Sequence, residues 1–260
     1  MKKSNIITML AFCVIIIIIT VYIISTSLSR DNTPGSHNDA PQGEAVQEET
    51  DALDESNNNE QPTDETLSVE SLTLKDSLFI GDSRTVGLSE YSTLTGADFF
   101  SDVGMSSSNI YDKTVSVPSV GKLTFKQLIQ NKSYKRIYIM LGINEVGNDL
   151  DTTMKRYEEI ISFIKTNQPK ADIFIMANLH VSASRSSKDA AINNNIIDNF
   201  NIRLEKLAKN ENIYYMNSNS LFDDESGSLD EKKTGDGVHL YAKYYADWAK
   251  WIITQTKNNY

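Results

Sequence analysis

Five short apolar runs without polar alternation, separated by stretches of helical periodicity, constrain this chain more than any other feature. The runs are Ser77 to Ile80, the weaker Phe99-Phe100 pair, Arg136 to Leu141, Ile173 to Leu179, and Ile213 to Met216. A strand that is apolar on both sides is buried on both faces, which is the condition of a parallel sheet covered by helices. The intervening stretches supply those helices. Met154, Tyr157, Ile161 and Ile164 share one face of a helix expected over Thr152 to Asn167, ended by Pro169, and Ile192, Ile196, Phe200, Leu204 and Leu207 share one face over Lys188 to Lys209. A helix is expected to start near Arg84, and a last one to run from Tyr241 to Thr256. Strand–helix alternation of this kind predicts one doubly wound α/β domain over residues 71–260, with its site where loops leave the carboxyl ends of the strands.

The preceding residues are of another kind. Residues 6–26 are expected to form a transmembrane signal anchor, because Ile6 to Ile24 carries no charge. About 19 apolar residues match the roughly 30 Å hydrocarbon core. Lys2 and Lys3 in the short segment 1–5 predict a cytoplasmic N-terminus, with the remainder exported. Residues 27–70 read as a disordered acidic linker: positions 30–70 carry a net charge of −11 within a chain total of −10, so the domain itself is close to neutral. Such a tether reaches on the order of 35–40 Å. No basic cluster suggests a nucleic-acid surface. The single cysteine, Cys13, lies in the apolar run and allows neither an intramolecular disulfide nor a cysteine metal site.

Two short motifs carry the chemistry. Gly81-Asp82-Ser83 follows the first strand directly. A serine at a strand-to-helix turn exposes its hydroxyl above the sheet and directs its backbone N–H at the space where an oxyanion forms. The same tripeptide is also ordinary turn chemistry. Asp236 stands three residues before His239, just ahead of the last helix, where a carboxylate can orient an imidazole; an Asp-Gly turn is the plainer reading. Of the other histidines, His37 lies in the linker and His180 at the end of the fourth strand, beside the expected site. Three scattered histidines predict no metal, and triad chemistry requires no cofactor.

Taken in chain order, these residues resemble the four sequence blocks of the SGNH, or GDSL-like, hydrolases. Gly81-Asp82-Ser83 is similar to the first block, Gly104 in Ser101 to Met105 to the second, Gly142-Ile143-Asn144-Glu145 to the third, and Asp236 to His239 to the fourth. The resemblance implies a three-layer α/β/α sandwich around a mostly parallel five-stranded, flavodoxin-like sheet. It also implies Ser83 as nucleophile, His239 as general base and Asp236 as its partner. The oxyanion would be held by the backbone N–H groups of Ser83 and Gly104 and the side-chain amide of Asn144. Two positions depart from the family pattern. Arg84 replaces leucine, as a ligand for an anionic substrate group or as an ion-pair partner, and Glu145 replaces aspartate, with an effect expected on loop packing. Arg84 and His180 are the candidate substrate contacts.

These features predict a serine esterase at a bacterial cell membrane, its catalytic domain outside, acting on carboxylic esters. An acetylated cell-wall or surface glycan is the first substrate expectation. Acyl transfer, a lipid esterase and a non-catalytic glycan- or protein-binding module are the alternatives, although binding alone does not require Ser83, Asn144, Asp236 and His239 together.

Overall fold

The computed structural model describes residues 74–258. The expected cytoplasmic segment, membrane anchor and acidic linker (1–5, 6–26 and 27–70) lie outside the described residues. No helix among the described residues is long and apolar enough to cross a membrane.

Five parallel strands form the central sheet: β1 (Ser77–Gly81), β2 (Asp98–Ser101), β5 (Arg136–Met140), β6 (Asp172–Met176) and β7 (Tyr214–Met216). Their order is β2-β1-β5-β6-β7. All four pairings are parallel. A separate antiparallel hairpin, β3 (Thr114–Val117) with β4 (Gly121–Thr124), stands beside β2. Its strands are short, four of their eight residues are exposed, and apolar Val115, Val117 and Leu123 are separated by polar or small residues, so they lack the continuous apolar run that marks the central five.

The residue alternation within each strand divides two cores between the faces. One face presents Leu78, Ile80, Phe100, Ile137, Ile139, Ile173 and Ile175 to α2 (Phe125–Asn131), α3 (Leu150–Asn167) and α5 (Asn194–Glu211). The other is aromatic: Phe99, Phe79, Tyr138, Phe174 and Tyr214 stack across all five strands, with successive ring centroids 5.1, 4.4, 4.7 and 4.7 Å apart. The parallel register makes each of these residues the direct partner of the next. Over this ladder lie α1 (Ser83–Tyr91) and α7 (Tyr244–Asn258), whose Leu88, Tyr245, Trp248 and Ile252 join the same cluster. Two short helices, α4 (Ala183–Ser186) and α6 (Asn219–Phe222), shape the loops after β6 and β7.

The expected α/β/α sandwich and five-stranded sheet are therefore present. α1 follows β1 on the aromatic face and α3 follows β5 on the aliphatic face. The chain leaves these adjacent strands in opposite directions, which makes their carboxyl ends the switch point where such folds place ligands.

Three boundaries differ from the periodicity. The helix expected from Lys188 begins at Asn194, because Asp189 Oδ1 takes the N–H groups of Ala191 and Ile192 at 2.9 Å each and Asn193 caps the helix through its side chain. The last helix begins at Tyr244 rather than Tyr241. The fourth strand leaves the sheet after Met176, so Asn178 to His180 become site-side loop.

Candidate active site

Gly81 ends β1 because no side chain fits there: a Cβ would lie 2.0 Å from Thr85 Oγ1 and 2.7 Å from the Met140 carbonyl oxygen. Asp82 then caps α1, its Oδ1 accepting the N–H of Arg84 at 2.9 Å. Ser83 is consequently the first helical residue, partly exposed, and its N–H belongs to the turn that has no intrahelical acceptor. Ser83 Oγ lies 2.8 Å from His239 Nε2, 156 residues further along the chain.

The histidine is set by its own turn. Asp236 Oδ2 lies 2.6 Å from His239 Nδ1, while Oδ1 accepts the backbone N–H groups of His239 at 2.8 Å and Val238 at 2.9 Å. Partial burial opposes the charge on Asp236, but the His239 side chain and these two N–H groups prevail and hold its carboxyl well below the usual carboxylate range. An ionised Asp236 that accepts from Nδ1 leaves Nε2 as the acceptor facing Ser83, the tautomer a general base requires. Gly237 (φ +78°) permits the turn, and its carbonyl accepts the Ser182 N–H at 2.8 Å.

Two further loops reach the same edge. The turn after β2 is joined to β1 by Asp102 N–H on the Gly81 carbonyl at 3.3 Å. Gly104 sits in it with φ +74°, and nothing lies within 4 Å of where a Cβ would be, so the backbone conformation rather than space favours glycine. The loop after β5 carries Asn144, exposed, whose Nδ2 donates to the Met105 carbonyl at 2.9 Å. Asn144 and the Gly104 turn are thus in direct contact.

Two buried side chains fasten these loops, and sequence reading missed one of them, Asn178. Buried Glu145 accepts the Ser107 N–H at 2.6 Å and the Ser107 hydroxyl at 2.9 Å, stapling the loop after β2 to the loop after β5. This realises the loop-packing role expected of Glu145. Asn178, also buried, donates to the Leu141 carbonyl at 2.9 Å and exchanges two hydrogen bonds with Asn201. Only a polar residue at the end of an apolar strand marked Asn178 beforehand.

The two candidate substrate contacts are corrected. Arg84 is 1% exposed, with Nε on the Val238 carbonyl at 3.2 Å and Nη1 on the Leu179 carbonyl at 3.0 Å. It faces inward from the start of α1 and offers nothing to a substrate. Burial lowers the Arg84 pKa and raises that of Asp82, each opposed by the charge of the other. His180 has both ring nitrogens engaged, Nδ1 with Asp223 and Nε2 with Asp198, each at 2.8 Å. It joins the loop after β6 to α5 and the end of α6. Among the described residues no group of three or more His, Cys, Asp or Glu side chains is arranged to hold a metal ion.

A parallel sheet that sets a serine at the end of its first strand against an Asp–His turn before its last helix defines a class: SGNH-type serine hydrolases acting on carboxylic esters. Residues 79–246 match the model of the GDSL-like Lipase/Acylhydrolase family, and the chain belongs to that family. No curated protein matches the chain. Among solved structures, a Streptococcus pneumonia protein described as a candidate platelet activating factor aligns with TM-score 0.55 and 19% identity, over 72% of this chain and 87% of its own. A GDSL-like lipase from Bacteroides thetaiotaomicron aligns at 0.53 and 20%, over 70% and 87%. Axe2, an acetylxylan esterase from Geobacillus stearothermophilus, aligns at 0.50 and 16%, over 71% and 96%. At these identities the likeness establishes the shared fold.

Proposed function

We propose that this protein is an extracytoplasmic serine esterase, anchored by residues 6–26, that removes O-acetyl or other short acyl groups from surface carbohydrate. The observation that carries the reading is the unbroken hydrogen-bonded chain from Ser83 Oγ through His239 to Asp236, 2.8 Å and then 2.6 Å.

His239 Nε2 takes the Ser83 proton as Oγ attacks the acyl carbonyl, and Asp236 stabilises the imidazolium that forms. The oxyanion lies among the N–H groups of Ser83 and Gly104 and the Asn144 amide, neutral donors that bring no net charge of their own. His239 then returns the proton to the leaving sugar oxygen. Water, activated by the same imidazole, releases the carboxylic acid from the acyl-serine.

Two exposed apolar side chains support a carbohydrate-sized substrate: Val103, 68% exposed beside Gly104, and Tyr241, 48% exposed two residues after His239. The fold shared with an acetylxylan esterase supports the same substrate class. The anchor and exported location rest on the apolar run and its flanking charges.

Release of p-nitrophenol from p-nitrophenyl acetate tests the mechanism. Wild-type chain is expected to turn the ester over and Ser83→Ala to abolish that turnover. Equal rates in the two would reject Ser83 as nucleophile. Acetate release from acetylated xylo-oligosaccharide or wall glycan then tests the substrate class.

A further inference from the structure

Arg84 follows the nucleophile and is fully buried, although a guanidinium is costly to remove from water. Its main-chain N–H is held by Asp82, and its side chain crosses to the turn that carries His239. There Nε donates to the carbonyl of Val238 at 3.2 Å, while the Val238 N–H donates to Asp236 Oδ1 at 2.9 Å. The residue immediately before His239 is therefore gripped at both of its peptide groups. Nη1 donates to the Leu179 carbonyl at 3.0 Å. Leu179 opens the segment that continues to Ser182, whose N–H bonds to the Gly237 carbonyl at 2.8 Å. One guanidinium thus joins the nucleophile's helix, the base's turn and the segment that braces that turn.

We propose that Arg84 is a positioning residue, holding His239 in register with Ser83 through its planar fork on the Val238 and Leu179 carbonyls. The proposal rests on the reading of Ser83 and His239 as nucleophile and base.

A role confined to stability fits the environment less well. Arg84 Nη2 and Asp82 Oδ2 are both buried without a hydrogen-bond partner. Buried charges left partly unsatisfied often stabilise less than an apolar side chain of similar volume. What the guanidinium supplies is direction: two N–H groups in one rigid plane, aimed at two carbonyls, which an ammonium on a flexible stem does not reproduce. Ser83 and Arg84 are consecutive at the start of α1, so any shift of that helix relative to the turn would otherwise alter the distance from Oγ to Nε2 directly.

The test compares full-length wild type, Arg84→Lys, Arg84→Met and Ser83→Ala in detergent micelles. Three quantities are measured: kcat and KM for p-nitrophenyl acetate, the rate of Ser83 phosphonylation by a fluorophosphonate, and the downfield NMR signal of the His239 Nδ1 proton. Misplacing a catalytic group by about 1 Å can cost on the order of 10² in rate. Both Arg84 variants are expected to lose about that factor in kcat and in phosphonylation, with KM within about threefold of wild type, the signature of an interaction that serves the transition state. The downfield signal is expected to broaden or shift. Wild-type rates in the variants overturn the proposal. Should Arg84→Met not fold, Arg84→Lys, which keeps the cation and most of the volume, decides alone: wild-type kcat overturns the proposal and the expected loss supports it. If Ser83→Ala matches wild type in turnover, the serine-esterase reading fails instead. The downfield signal, which requires no turnover, then decides: a change in Arg84→Lys supports the positioning role and an unchanged signal rejects it.

Discussion

Asn144 contributes the only side-chain donor to the proposed oxyanion site, so its removal isolates one interaction from the main-chain donors. Its Nδ2 already gives one hydrogen to the Met105 carbonyl at 2.9 Å, which orients the amide before any substrate arrives. Asn144→Ala is expected to lower kcat by about 10²–10³ with little change in KM, because the bond is strongest where negative charge develops. Steady-state kinetics on p-nitrophenyl acetate check this, with a thermal melt to show that the loop has not collapsed. Asp236 bears on the pH dependence of the same reaction. Its folded pKa lies below its unfolded value, so the stability it contributes is present above the usual carboxylate pKa of about 3.9 and is lost as pH falls through the depressed folded value. Through the mildly acidic range Asp236 therefore stays ionised.

The element that braces the base turn is itself secured by a histidine. His180 ties the loop after β6 to Asp223 at the end of α6 and to Asp198 on α5, at 2.8 Å on each side. Burial disfavours its charge, but the hydrogen bonds and charges of Asp223 and Asp198 outweigh burial and raise its pKa. The folded pKa exceeds the unfolded one, so this contribution is complete below about pH 6.5 and disappears as pH rises through the folded value. His180→Gln is therefore expected to be less stable than wild type by about 1–2 kcal/mol at pH 5.5. The difference should narrow on the alkaline side, in urea melts run across that range. A difference that stayed constant with pH would mean that the charge of His180 contributes nothing to stability. Glu145 and Asn178 do comparable work on the neighbouring loops through bonds to Ser107 and to the Leu141 carbonyl.

At the scale of the whole molecule, the proposed anchor and the proposed acidic linker would make the domain a surface-bound reagent whose effective concentration the linker sets. Full-length protein expressed in bacteria is expected to sediment with membranes and to be released by detergent. The chain beginning at residue 71 is expected to stay in the soluble fraction and keep kcat for p-nitrophenyl acetate within about twofold. Among the described residues the domain carries two cores and the stacked aromatic ladder, which is the basis for this expectation. Full-length protein remaining soluble would reject the anchor without touching the esterase reading.

The central strands were legible in the sequence because burial on both faces removes polar residues from them, and the helix interiors because one buried face imposes a period of 3.6. The same logic concealed the β3–β4 hairpin, whose exposed Thr114, Ser116, Gly121 and Lys122 owe their conformation to pairing rather than to hydrophobicity. It also placed the start of α5 too early. Ala190, Ala191 and Ile192 continue the apolar pattern, and only the bonds from Asp189 and the Asn193 cap stop the helix there. Ser83, Gly104, Asn144, Asp236 and His239 could be nominated because each stands in a short local stretch that resembles a block of the GDSL-like family. Arg84, open between a substrate ligand and an ion-pair partner, and His180, a candidate substrate contact, carry no local indication of their partners. Those partners lie at Val238, Leu179, Asp198 and Asp223, distant along the chain or on other elements. Local sequence determines which groups are available and which backbone turns can present them. The direction in which a long side chain points, and whether its charge meets solvent, a substrate or a buried carbonyl, is settled only when separate elements pack together.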